Sequence, residues 1–269
     1  MTDKFPDLTV SQCSPILIAG PCSAESPEQM LATAKALSSL GIVIFRAGVW
    51  KPRTRPGGFE GYGKEALKWL DMVKKETRML TATEIGCAAH ACEALKAGID
   101  LLWIGARTSA SPFAIQEIGE CMRGSDTPVF VKNPVCADTD LWIGAIERLC
   151  NCGLSRLGAI HRGFKLPSSS IYRNPPLWEL ADRFRQNVGE IPLLCDPSHM
   201  GGSRDLIFPL SSEAKKRGYD GLMIESHIYP DKALTDSAQQ LRPADLSPII
   251  DLWQPTAPIK TVSTLSSAS

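Results

Sequence analysis

Short apolar runs rich in β-branched residues alternate along this chain with longer stretches whose apolar positions recur every three or four residues. The short runs predict strands at Ile16–Ala19, Val43–Ala47, Met79–Glu84, Leu101–Ile104, Val129–Lys132, Arg156–His161, Pro192–Cys195 and Gly221–Glu225. Their starts lie roughly 20 to 40 residues apart, the size of one strand–helix unit.

The helices between them are partly legible. Ser26-Pro27-Glu28-Gln29 reads as an N-cap, a proline at the first helical position and a glutamine at the third. Met30, Ala34 and Leu37 then share one face, and Gly41 ends the helix. Ala66, Trp69, Leu70 and Val73 give the next helix its buried stripe, and Ala91, Ala94 and Leu95 the one after, with Gly98 as its stop. Later helices are predicted at Phe113–Cys121, Thr139–Cys152, Pro176–Arg185, Leu206–Arg217 and Pro243–Leu252.

Eight such units in about 250 residues predict an α/β protein of the (β/α)8 or TIM-barrel class. The alternative, a doubly wound open sheet, usually carries a glycine-rich turn after its first strand. Here that turn is Gly20-Pro21-Cys22-Ser23, whose proline removes a backbone donor, so the barrel is favoured. Residues 1–255 are expected to form one catalytic domain, and the Ser/Thr-rich stretch 256–269 a disordered tail or linker.

Composition narrows the function. Lys plus Arg and Asp plus Glu both number 29 in 269 residues, so the net charge is zero. That balance argues against a nucleic-acid partner or a membrane surface. No apolar run approaches the ~18 residues of a membrane span. Met1–Asp7 has neither the basic nor the apolar region of a secretory signal. The nine cysteines are odd in number and scattered, which predicts reduced thiols and a cytoplasmic protein. Cys150 and Cys152 have no matching second pair, so they do not form a zinc knuckle.

In a barrel of this kind the chemistry gathers at the C-terminal ends of the strands. Two kinds of side chain follow the predicted strands. Arg46, Lys51, Arg53, Arg107, Lys132, Arg162 and Arg204 make a local excess of cations in a neutral protein. Cations in one pocket repel one another unless an anion neutralises them, so the substrate, or a pair of substrates, should carry several negative charges. Cys22, His199, Glu225 and Asp236 offer a thiolate, an imidazole and two carboxylates, a set suited to manganese, iron, cobalt or zinc. Singly, each has a plainer explanation: Cys22 as a small buried hydrophobe, His199 as a satisfied core histidine, Glu225 as a partner for a core arginine, the cations as solvated loop charges. The functional reading rests on their shared position at strand ends. His90 and Cys92 read as structural, the six tryptophans as core or interface, and His227 as a supporting group or proton shuttle.

Five segments together resemble one family: Ile18-Ala19-Gly20-Pro21-Cys22-Ser23, Lys51-Pro52-Arg53-Thr54, Ile104-Gly105-Ala106-Arg107, Asp196-Pro197-Ser198-His199 and Lys232-Ala233-Leu234-Thr235-Asp236. They are similar to the motifs of 3-deoxy-D-arabino-heptulosonate 7-phosphate (DAHP) synthases, nearest the compact β-type branch of the first class. The likeness runs from about Pro15 to Leu241. The resemblance implies a (β/α)8 barrel that joins phosphoenolpyruvate to D-erythrose 4-phosphate with water, giving DAHP and phosphate, at the start of the shikimate pathway to aromatic amino acids.

It also implies roles. One divalent metal ion, manganese first among the candidates, would sit on Cys22, His199, Glu225 and Asp236. Arg46, Lys51, Arg107, Lys132 and Arg162 would cage phosphoenolpyruvate, and Arg53, Thr54, Ser203 and Arg204 would hold erythrose 4-phosphate. Glu84 would position the attacking water. Lys51 or a metal-bound water would shuttle protons, and the sequence does not choose between them. Association into a dimer or tetramer is expected, since barrels of this family often associate.

Only about twenty residues precede Cys22, so the expectation is a chain without the N-terminal regulatory modules of some relatives. The tail ends without the chorismate mutase helices of others, which suggests an unregulated core or a truncated chain. The nearest rival is 3-deoxy-D-manno-octulosonate 8-phosphate synthase, which takes a five-carbon aldose. Lys51-Pro52-Arg53-Thr54 argues against it, because the rival's segment resembles Lys-Ala-Asn-Arg-Ser. More distant alternatives are a metal-dependent phosphohydrolase or aldolase on the same barrel, and a non-catalytic scaffold subunit.

Overall fold

The computed structural model describes residues 15–53, 55–167 and 170–254. Eight parallel strands close into a barrel in sequence order: β1 (Ile16–Gly20), β2 (Ile44–Arg46), β3 (Leu80–Ile85), β4 (Leu101–Ile104), β5 (Val129–Lys132), β6 (Leu157–His161), β7 (Leu193–Cys195) and β8 (Gly221–Glu225). β1 closes the ring on β8, with Ile16 opposite Gly221 and Gly20 opposite Glu225. The helices are α1 (Pro27–Ser38), α2 (Lys64–Thr77), α3 (Ala88–Lys96), α4 (Pro112–Cys121), α5 (Thr139–Asn151), α6 (Trp178–Val188), α7 (Pro197–Gly201), α8 (Ile207–Lys216) and α9 (Ser247–Trp253). No helix among the described residues is long and apolar enough to cross a membrane.

Two apolar layers hold the barrel. Inside it pack Ile18, Ile44, Ala82, Leu101, Trp103, Phe130, Ile160, Leu194 and Met223. Between strands and helices lies a larger layer that includes Met30, Leu37, Phe45, Leu70, Ile118, Trp142 and Phe184. The helix starts follow the local chemistry. The Ser26 hydroxyl accepts the Gln29 N–H at 3.1 Å, with Pro27 in the first turn. Gln29 reaches back past the cap to accept the Glu25 N–H.

Several expected boundaries shift. Val43 is exposed and lies outside β2, and Met79, Arg156 and Pro192 likewise precede their ladders. Trp69 is only partly buried, leaning on Tyr62, and Leu67 takes its place on the buried stripe of α2. α6 starts at Trp178, because Leu177 takes a left-handed backbone (φ 40°, ψ 61°) that a right-handed helix does not include. The predicted helix at Pro243–Leu252 is a 3-10 turn, Pro243–Leu246, followed by α9, with Pro248 at the join. α7 is too short to show in the hydrophobic pattern.

The thiols also differ from expectation. Cys92 and Cys121 form a disulfide between α3 and α4, with Cα atoms 6.6 Å apart. Twenty-nine residues separate them in sequence, so only the packing of adjacent helices reveals the pair. Cys22, Cys87, Cys136, Cys152 and Cys195 are free thiols. The stretch 256–269, read as a tail, lies outside the described residues.

Candidate active site

Every second side chain of a barrel strand faces the interior. The alternation that places Ile44, Ala82, Phe130, Ile160, Leu194 and Met223 inside continues two residues on to Arg46, Glu84, Lys132, Arg162, Asp196 and Glu225. One periodicity thus packs the apolar core and delivers a charged layer above it, at the C-terminal mouth. Arg46, Lys132, Arg162, Asp196 and Glu225 are all buried there.

Trp103 forms the floor. The Arg46 guanidinium lies 4.8 Å and the Lys132 ammonium 5.8 Å from the centre of its ring, an arrangement that stabilises cations. The Trp103 indole N–H donates to Glu84 Oε2 at 3.0 Å. Gly105 leaves room for that carboxylate, since a Cβ there would overlap Glu84 Oε1.

The cations meet the candidate metal ligands directly. Arg46 Nη2 donates to the Cys22 carbonyl at 3.1 Å and lies 3.5 Å from Glu225 Oε1. Its Nε and Nη1 are buried and have no hydrogen-bond partner among the described residues. Lys51 Nζ donates to the Cys22 carbonyl at 2.9 Å and to Cys22 Sγ at 3.1 Å. Burial disfavours the Lys51 charge, but Cys22, Glu84 and Glu225 outweigh it and raise the ammonium pKa. Burial, reinforced by Glu225, pushes the Cys22 thiol up to about 12.

Ligand atoms of Cys22, Glu225 and Asp236 lie within 4.8 Å of one another. His199 is not one of that compact group, but its Nε2 lies 3.7 Å from Glu225 Oε1. The Asp196 carboxylate sets the His199 ring. Its Oδ1 accepts the His199 N–H at 3.0 Å, and its Oδ2 lies 2.8 Å from Nδ1. Burial opposes the Asp196 charge, yet His199 and Lys132 hold its pKa well below the usual carboxylate range. Lys132 Nζ donates to the same Oδ2 at 2.7 Å. Glu225 Oε1 is buried and accepts no hydrogen bond. A buried, unpaired carboxylate oxygen beside a thiol, an imidazole and a second carboxylate fits a borderline divalent ion.

The remaining predicted residues divide. Burial lowers the pKa of Arg162 to about 10, and Asp196 and the neighbouring cations Arg173 and Arg107 also act on it. Arg107 itself is exposed. Arg53 donates Nε to the Phe59 carbonyl at 2.7 Å, which folds it back into its own loop. Arg204 is tied to the loop after β8 through Gln240 O, Ser237 O and Asp231. Ser203 stands at the N-cap position of the 3-10 turn after α7, and its side chain makes no capping hydrogen bond. Thr54 lies outside the described residues. His227 is a clamp: Nδ1 accepts the Tyr229 N–H at 2.8 Å, and Nε2 lies 3.5 Å from Glu25.

Four side chains of the site escaped the sequence reading as participants. Asp196 belongs to the Asp196-Pro197-Ser198-His199 segment, and its place one residue past β7, two on from the inward-facing Leu194, was the available signal. Arg173, Gln239 and Gln240 lie on loops with no periodicity to mark them. Gln240 Oε1 accepts the Cys22 N–H at 2.9 Å, and Gln239 Nε2 donates to Glu225 Oε2 at 2.7 Å.

Fold and site together define a class: an eight-stranded α/β barrel whose C-terminal mouth gathers buried cations beside a thiol–imidazole–carboxylate donor set. The chain belongs to the DAHP synthetase I family, whose sequence model matches residues 11–260. It is 32% identical over 225 residues to phospho-2-dehydro-3-deoxyheptonate aldolase of Thermotoga maritima, covering 84% of this chain and 64% of the relative. The chain therefore spans a little under two thirds of that relative's length. It is also 29% identical over 259 residues to 2-dehydro-3-deoxyphosphooctonate aldolase of Syntrophotalea carbinolica, covering 89% of this chain and 90% of the relative. The crystal structure of the Thermotoga maritima DAHP synthase superposes with a TM-score of 0.79 at 30% identity, over 88% of this chain and 67% of that one. A truncated form of the same organism's enzyme gives 0.75 at 28%, over 87% and 83%.

Proposed function

We propose that this chain condenses phosphoenolpyruvate with D-erythrose 4-phosphate and water to give DAHP and phosphate, the entry to aromatic amino acid synthesis. The observation that carries the reading is Arg46. A buried guanidinium with two nitrogens that make no hydrogen bond, its third 3.5 Å from a carboxylate oxygen that accepts none, is a seat for an anion next to a seat for a cation. Phosphoenolpyruvate brings a phosphate and a carboxylate, and Lys51, Lys132, Arg162 and Arg107 supply the further positive charge.

The chain's own groups have separable tasks. Arg46, Lys132 and Arg162 hold the enol donor above Trp103, and fixing two reactants in one geometry removes much of the barrier. Carbon C3 of the enol attacks the aldehyde carbon, and Lys51 Nζ delivers a proton to the developing alkoxide. Water adds at C2 with its proton passing to Glu84, and the C2–O bond to phosphate breaks. Arg53, Thr54, Ser203 and Arg204 take the aldose phosphate, while His227 steadies the loop after β8. A divalent ion on Cys22, His199, Glu225 and Asp236, with manganese first among manganese, iron, cobalt and zinc, would supply Lewis-acid polarisation of the aldehyde oxygen. A cytoplasmic homo-oligomer, dimer or tetramer, completes the proposal.

The octulosonate reading is the second candidate, because relatives of that activity match the chain. Lys51-Pro52-Arg53-Thr54, where the octulosonate segment resembles Lys-Ala-Asn-Arg-Ser, favours the shorter aldose. Turnover of phosphoenolpyruvate with each aldose tests this: erythrose 4-phosphate should be preferred, and a clear preference for arabinose 5-phosphate would reverse the assignment. Phosphate release without aldose consumption would point to a phosphohydrolase, and no turnover in metal-replete protein to a scaffold.

A further inference from the structure

Each candidate metal ligand is contacted by a side chain from outside the donor set. Gln240 holds Cys22 through its N–H, and Asp196 holds His199. The two carboxylates, however, share one support. Arg173 Nη1 donates to Asp236 Oδ1 at 2.8 Å and to Gln239 Oε1 at 2.7 Å. Gln239 Nε2 in turn donates to Glu225 Oε2 at 2.7 Å. One continuous line of hydrogen bonds therefore runs Asp236–Arg173–Gln239–Glu225.

The line engages one oxygen of each carboxylate and leaves the other to the donor set itself. Asp236 Oδ2 accepts only from Cys22 Sγ, at 3.4 Å, and Glu225 Oε1 accepts no hydrogen bond. The backbone around Arg173 is fixed to the element that carries His199. Arg173 N donates to Gly201 O and Asn174 N to Met200 O, while the Asn174 side-chain amide donates to the carbonyl of His199. The segment before α6 thus references three of the four ligands to a single dipeptide.

We propose that Arg173 and Gln239 are positioning residues that make Glu225 and Asp236 each offer one oxygen to a divalent ion. This rests on the assignment of Cys22, His199, Glu225 and Asp236 as the ion site. Two effects of Arg173 oppose each other. Its charge repels a dication, while its hydrogen bonds pre-set the donor oxygens. The side chain is 49% exposed, so solvent and salt screen the repulsion. Gln239 is buried and neutral, so its contribution is geometric alone. Positioning therefore dominates, and supports of this kind typically change metal affinity by about 10- to 100-fold.

The test is calorimetric titration of Mn2+ into chelator-stripped full-length protein, with wild type, Arg173→Ala, Arg173→Lys, Gln239→Leu and the Arg173→Ala/Gln239→Leu double variant. Each alanine or leucine variant should bind Mn2+ about 10- to 100-fold more weakly. Arg173→Lys should recover part of the loss, and the double variant should lose little more than the worse single one, because both act through one line. Metal-free melting temperatures report folding separately. If Arg173→Ala does not fold, Arg173→Lys and Gln239→Leu carry the test. Mn2+ affinity unchanged within twofold, or tighter binding on removal of Arg173, would overturn the proposal. A wild-type protein that binds no Mn2+ would instead refute the ion site on which it rests.

Discussion

Lys51 grips Cys22 twice, its ammonium donating to both the carbonyl and the sulfur of that residue at about 3 Å. The two lie 29 residues apart, one after β1 and the other after β2. Their contact joins the cation cluster to the metal-donor set, so a substrate anion and an ion would be bound by neighbouring groups of one mouth.

Cys22→Ala should abolish metal-dependent turnover and leave the fold standing. The side chain is small and, although fully buried, belongs to neither apolar layer. Circular dichroism should match wild type while turnover is lost. Activity that survives both the substitution and chelation would remove Cys22 from the site.

Arg46→Lys keeps a positive charge above Trp103 but loses the guanidinium fork. Hydrogen bonds to charged groups contribute about 1.5–3 kcal/mol, so kcat/KM for phosphoenolpyruvate should fall roughly 10- to 100-fold. Steady-state kinetics at saturating aldose measure it. An unchanged value would mean the buried nitrogens do not meet the enol donor.

Arg53→Ala should weaken the aldose more than the enol donor, because Arg53 lies on the loop after β2 rather than in the buried charged layer. The ratio of the two KM changes is the readout. Equal losses for both substrates would contradict this division.

His161 predicts a pH dependence of stability unrelated to catalysis. Its ring faces the helix layer, bonded to the Tyr219 hydroxyl at 2.7 Å and packed near Trp142, Phe164 and Trp178. Burial lowers its pKa to about 3 from an ordinary 6.5. Between those values the unfolded chain binds a proton that the folded one does not, so stability falls as pH drops below 6.5 and levels off near 3. The contribution is about 1.4 kcal/mol per pH unit. Urea unfolding from pH 7 to 4.5 should show wild type losing that much more per unit than His161→Phe. Parallel slopes would mean that burial does not lower the pKa of this ring.

The barrel was legible because its signal is periodic. Three strands, Leu101–Ile104, Val129–Lys132 and Gly221–Glu225, carry the predicted bounds. β1 starts as expected and runs one residue further, while β2, β3, β6 and β7 begin a residue later, as at Val43, whose β-branched side chain suits a strand but is exposed. Most of the charged layer was legible for the same reason, since Arg46, Glu84 and Glu225 end apolar runs. What stayed hidden depends on loops meeting across long sequence separations. Arg173 reaches Asp236 across 63 residues and Gln240 reaches Cys22 across 218, and neither contact leaves a trace in local pattern. The Cys92–Cys121 pair was invisible on the same grounds. Arg53 and Arg204 show the converse: their residue types fit a phosphate seat, while their hydrogen bonds go to their own loop and to the loop after β8.

The claim that an ion site and an anion cage share one mouth is tested most directly by anomalous diffraction from crystals holding Mn2+ and phosphoenolpyruvate. The account predicts one strong anomalous peak coordinated by Cys22, His199, Glu225 and Asp236, with the phosphoenolpyruvate phosphate and carboxylate on Arg46, Lys51, Lys132, Arg107 and Arg162. A peak elsewhere, or phosphoenolpyruvate bound away from Arg46, would contradict it.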